Sequence, residues 1–94
     1  MIDCKQYSDL DIVKLILSGD IDAYYCLVEM YKDKLLRYIM RITQIYEEEA
    51  ENILQEVFIK AYKNLYSYDH SFSFSSWIYR ITHNMVIDYH RTHN

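Results

Sequence analysis

The sequence predicts an all-α fold, a compact four-helix bundle, on three observations. Apolar side chains recur at steps of three and four along most of the 94 residues. Capping and stop signals divide that pattern into four pieces. Hydrophobic residues make up 51% of the chain and aromatic residues 16%, which suffices for a packed core in one domain spanning 1–94. The one alternating stretch, YSYDHSFSFSSW from Tyr66 to Trp77, has the period of a strand, yet it contains Asp, His and five Ser and is flanked by helical spacing.

The first helix, about 9–18, opens on Ser8 followed by Asp11, an S-x-x-D capping signal, and turns Ile12, Val13, Ile16 and Leu17 to one face. Gly19 is placed to end it with a positive φ, and Asp20 to accept from the free amides of the next helix. That second helix, about 21–42, carries the stripe Tyr24, Leu27, Val28, Tyr31, Leu35, Tyr38, Ile39 and Ile42. Glu47, Glu48, Glu49 and Glu51 open a third helix, about 47–65, where negative charge favours the positive end of the helix dipole. Its stripe is Ala50, Ile53, Leu54, Val57, Phe58, Ala61, Tyr62 and Leu65. Ser73 can cap a fourth helix, about 74–91, whose buried positions are Phe74, Trp77, Ile78, Ile81 and Met85.

Composition narrows the function. No apolar run approaches the ~18–20 residues of a membrane span, and MIDCKQYSD lacks the basic and apolar regions of a signal peptide, so a cytoplasmic protein without membrane contact is expected. Cys4 and Cys26 form no C-x-x-C pair and are expected as free thiols. One glycine and no proline exclude a phosphate-cradling glycine loop. Ser and His occur without an acid partner or oxyanion loop, and no enzyme activity is expected. His90 and His93 alone have close helical spacing, too few ligands for a structural zinc, so neither metal nor cofactor is expected. The charge of −4 is uneven: residues 1–73 hold eight Lys/Arg against thirteen Asp/Glu, whereas 74–94 hold two Arg, one Asp and three of the four His.

Two faces remain after the core is assigned. On the third helix Asn52, Gln55, Glu56, Ile59 and Lys63 lie opposite the stripe, and Ile59 among polar neighbours suits a partner-docking patch as well as an ordinary exposed isoleucine. On the fourth helix Tyr79, Arg80, His83, Ile87, His90 and Arg91, with Asn84 at the border, face away from the core and could meet bases or phosphates, or simply water.

The ordered combination GD-x-x-A-[FY], AE-x-x-x-QE-[VA]-F, F-x-x-W-[IL]-x-x-I-x-x-N and D-x-x-R, running from Asp9 to Arg91, resembles region 2 of bacterial sigma-70 family factors, specifically the extracytoplasmic-function (ECF) group. The resemblance implies a transcription-initiation domain that binds core RNA polymerase and captures the single-stranded non-template strand of the minus-ten promoter element. Asn52, Gln55, Glu56, Ile59, Lys60 and Lys63 match the part that docks on the clamp coiled coil of the polymerase β′ subunit. The segment matching Tyr66 to Ser75 is the family's specificity loop, which makes Tyr68, Asp69, His70 and Ser71 candidates for lining a base pocket. Arg80, His83, Asn84, Ile87 and Arg91 supply further strand contacts.

Three departures stand out. Asn52 replaces the Asp that many members carry after AE, and the tail HRTHN is weakly basic. The helix-turn-helix of region 4 is not in this sequence, which is expected either of a piece of a longer protein or of a standalone region 2; the end at Asn94, near where an interdomain linker would begin, favours the first. The missing region 4 and the weakly basic tail motivate an alternative: a sigma-like helical interaction module held by an anti-sigma or other regulatory partner, with no promoter activity of its own.

Overall fold

The computed structural model describes residues 2–93. The reading placed on the end at Asn94 lies outside them. Among the described residues there are four α-helices, α1 (Asp9–Leu17), α2 (Tyr24–Ile42), α3 (Glu47–Lys63) and α4 (Phe74–His93), and no strand; short 3₁₀ turns precede α1 and link α1 to α2 and α3 to α4, while residues 43–46 connect α2 to α3 without one.

Several helix ends have a local cause. The Ser8 hydroxyl accepts from the Asp11 amide at 3.1 Å and starts α1. Gly19, at φ 117°, stops it: the Gly19 and Asp20 amides donate back to the Ile16 and Leu15 carbonyls, the two bonds of a Schellman ending. Asp20 differs from expectation. Its side chain makes no cap bond; its carbonyl accepts from the Ala23 amide, and a 3₁₀ turn at Ile21–Ala23 delays α2 to Tyr24. At the other end of α2 the buried Thr43 hydroxyl is satisfied by donating to the Ile39 carbonyl at 2.7 Å. Three glutamates fill the first turn of α3. Ser73 starts α4 by accepting from the Ser76 amide at 3.0 Å.

Packing follows the stripes. The Tyr24 hydroxyl donates to the Phe58 carbonyl and its ring meets Tyr62 edge-on, so α3 runs antiparallel to α2. Tyr31 meets Phe74, and seven residues on Tyr38 meets Tyr79, so α4 runs parallel to α2 on the other side of the core. Ile12, Leu27, Leu35, Ile39, Val57, Phe74 and Ile78 are fully or almost fully buried at the centre. Leu17, Ile42 and Tyr62, assigned to the stripes from sequence, are instead exposed, each in the last turn of its helix; Tyr62 keeps its edge-on contact with Tyr24 but turns its other side to solvent.

The cysteines are not free thiols. Cys4 and Cys26 form a disulfide, with Cα atoms 5.3 Å apart. The 3₁₀ turn Cys4–Gln6 folds back on α2, where the Tyr25 hydroxyl donates to the Ile2 carbonyl at 2.9 Å and holds Cys4 over the fully buried Cys26. A separation of 22 residues gives no hint of this in sequence, since the pairing depends on the N-terminal segment docking. No helix among the described residues is long and apolar enough to cross a membrane.

Candidate nucleic-acid interface

The connector between α3 and α4 is tightly built. Leu65–Ser67 forms a 3₁₀ turn with Leu65 buried, and the Ser67 hydroxyl donates to the Asn64 carbonyl at 2.8 Å. Asp69 then closes an Asx turn, its carboxylate accepting from the Ser71 amide at 2.9 Å. That hydrogen bond holds the Asp69 carboxyl below the usual aspartate range, so it is an anion and a pure acceptor at neutral pH.

Tyr68 corrects the sequence reading. Expected as an open part of the pocket, it is only 5% exposed, its ring against Phe74 and Trp77 and its hydroxyl donating to the Phe72 carbonyl at 2.6 Å. Burial raises its pKa. Tyr68 is the anchor of the loop, and no free face is left for a base. His70 tilts against its remaining side at 4.9 Å and, like Ser71, is exposed.

A cleft of about 240 Å³ opens beside this anchor, lined by Ser67, Asp69, Phe72, Ser76, Trp77 and Arg80. Of the sequence candidates only Asp69 and Arg80 belong to it. Phe72, 60% exposed, was missed, although a signal existed: Phe72 precedes the cap Ser73 and Trp77 lies four residues into the helix, the two positions of a hydrophobic staple.

Along α4, Arg80, His83, Asn84, Ile87 and Arg91 are exposed, and at 100° per residue they share one face. His83 is fixed on that face by a 2.9 Å hydrogen bond between its Nδ1 and the Tyr38 hydroxyl of α2. Arg91 lies 3.8 Å from Asp88, an exposed and weak pair. On α3, Asn52, Gln55, Glu56, Ile59, Lys60 and Lys63 are likewise all exposed on one face. Ile59 is 55% exposed and borders a shallow hollow with Glu56, Lys60, Lys63 and Asn64.

A larger groove, about 560 Å³, separates α3 from α4 and reaches Asn52 and Glu56. Across it the Tyr89 hydroxyl donates to Glu49, and this bond raises the Tyr89 pKa. His93 stacks on Tyr89 at 4.0 Å. Among the described residues no three His, Cys, Asp or Glu side chains converge on a point where an ion could be held.

Residues 27–94 match the family described as Sigma-70 region 2. The chain is 43% identical over 76 residues to the ECF RNA polymerase sigma factor SigW of Bacillus subtilis, an alignment covering 81% of this chain and 40% of that protein. It is 32% identical over 85 residues to the ECF RNA polymerase sigma-E factor of Escherichia coli, covering 90% of this chain and 44% of the relative. The chain thus spans less than half the length of these relatives. Among solved structures, an engineered region 2 of sigmaE in complex with GTAAAA superposes with a TM-score of 0.84 at 33% identity, over 94% of this chain and 90% of that one. Family match, curated relatives and four-helix architecture agree, and the chain belongs to the sigma-70 region 2 family, in its ECF group.

Proposed function

We propose that this domain serves transcription initiation by docking core RNA polymerase through the exposed α3 face and capturing non-template bases of a minus-ten element in the cleft beside α4. The working compartment in this reading is the cytoplasm, with the polymerase. The cleft is the observation that carries the proposal: two aromatic side chains, Phe72 and Trp77, an anionic acceptor, Asp69, and a guanidinium, Arg80, converge at the start of the strand-facing helix. Extruding a base requires a few kcal/mol of unstacking. Stacking on one aromatic returns about 1–3 kcal/mol, and hydrogen bonds to Asp69 and Arg80 supply selectivity. The likeness to a sigmaE region 2 held in complex with GTAAAA supports the same ligand class.

Fluorescence anisotropy with a labelled single strand containing GTAAAA, set against a scrambled strand of equal composition, tests this. The wild-type chain is expected to prefer the first, and Phe72→Ala to weaken it by about tenfold, within the range of one lost stacking contact. Because Phe72 is largely exposed, the thermal melt should hardly move. Equal affinity for both strands would overturn base capture.

A further inference from the structure

The α4 face contributes only Arg80 and Arg91 as fixed cations, and Arg91 is partly occupied by Asp88. A second source of positive charge lies on α2. From Lys34 to Tyr46 the sequence contains Lys34, Arg37 and Arg41 and not one Asp or Glu. At 100° per residue these three cations fall within about 60° of one another and on one side of Tyr38. All three are exposed, and none has an ion-pair partner among the described residues, where the pairs are Lys32 with Glu29 and Arg91 with Asp88. Lys34 rests over the Tyr31 ring, its Nζ 5.6 Å from the centroid.

This stripe joins the candidate strand-binding face. Tyr38 bonds to His83 Nδ1 at 2.9 Å and meets Tyr79 edge-on at 5.2 Å, so the boundary between α2 and α4 is a continuous surface from the α2 cations to His83. When the Tyr38 hydroxyl donates to Nδ1, the neutral imidazole carries its hydrogen on Nε2, a donor suited to a phosphate oxygen. Four unpaired fixed cations, Lys34, Arg37, Arg41 and Arg80, then flank one histidine.

We infer that α2 is a phosphate track: Lys34, Arg37 and Arg41 hold the sugar-phosphate backbone of the strand whose base enters the cleft. The occupant is nucleic acid, on grounds of charge complementarity and of continuity with the α4 face. This inference rests on the base-capture reading, but it makes a separate claim: the α2 cations contribute affinity and salt dependence without sequence preference.

The test measures the same two labelled strands over a series of salt concentrations, using the wild-type chain and the triple substitution Lys34→Gln, Arg37→Gln and Arg41→Gln. For single strands each neutralised phosphate contributes about 0.7 to the slope of log K against log salt, so the triple variant should lose about 2 from that slope. Its preference for the GTAAAA strand should be unchanged. A charge-conserving variant, Lys34→Arg, Arg37→Lys and Arg41→Lys, should keep the wild-type slope, and Lys34→Gln alone should lose about 0.7. An unchanged slope in the triple variant, with wild-type preference intact, overturns the phosphate track and leaves base capture standing. An unchanged slope accompanied by lost retention on core polymerase overturns it in favour of an acidic protein partner. A reduced slope in a chain that shows no strand preference supports the track while rejecting base capture.

Discussion

At the scale of single residues the core is tied together by tyrosine hydroxyls. Tyr31 donates to Asp9 at 2.6 Å, linking α2 to the start of α1, and Tyr24 donates to a carbonyl of α3. Burial, and for Tyr31 also the Asp9 carboxylate, pushes both phenols well above their ordinary value. The unfolded chain ionises its tyrosines near pH 10 while the folded chain keeps these two neutral. The stability they contribute is therefore complete below about pH 10 and declines as pH rises beyond it. Urea titrations at pH 7, 9 and 11 should show unfolding free energy falling between the last two points. Tyr31→Phe should remove about 1 kcal/mol at pH 7, the net worth of one hydrogen bond, and flatten the alkaline decline.

At the scale of elements, α3 and α4 each divide into a buried stripe and an exposed face. The α3 face gives a direct test of polymerase docking. Ile59→Asp with Gln55→Ala should reduce retention on the β′ clamp helices by about tenfold or more, the loss expected for a central interface anchor. The melting curve should stay in place because both side chains are exposed. Undiminished retention would remove α3 from the docking surface.

The helices were legible because each carries a repeating apolar signal and some of their ends are marked locally: Ser8 and Ser73 act as caps, and Gly19 takes the positive φ assigned to it. What depends on tertiary contact was not legible. The burial of Tyr68 is set by Phe74 and Trp77 together, and alternation could not distinguish a ring turned into the core from one turned out. Phe72 was given no role, because alternation alone does not show that an aromatic just ahead of the helix cap stays in solvent beside a cleft. The phosphate track escaped notice because charge was counted by segment, and the glutamates of α3 masked an acid-free run on α2.

For the whole molecule, the disulfide separates stability from binding. It closes a loop of about 22 residues containing α1, its turn and the entry to α2, and loop-closure entropy for that length amounts to about 3 kcal/mol. Reduction, or Cys4→Ser with Cys26→Ser, should lower Tm by about 10 °C or more in scanning calorimetry. Neither α3 nor α4 lies inside the closed loop, so strand affinity below the melt should be the same in both redox states. A melt indifferent to reductant would show that the bond contributes nothing.

Tyr68 packs on Trp77, and Trp77 is also a wall of the cleft. One wall of the cleft proposed to receive the strand is thus part of the packed core, held in place without a ligand. Trp77 therefore has little conformational entropy to lose on binding, which favours affinity from a small contact area. The same construction transmits damage outward: a substitution that loosens Phe74 at the centre would blur the cleft and weaken strand capture without altering one residue that touches the ligand.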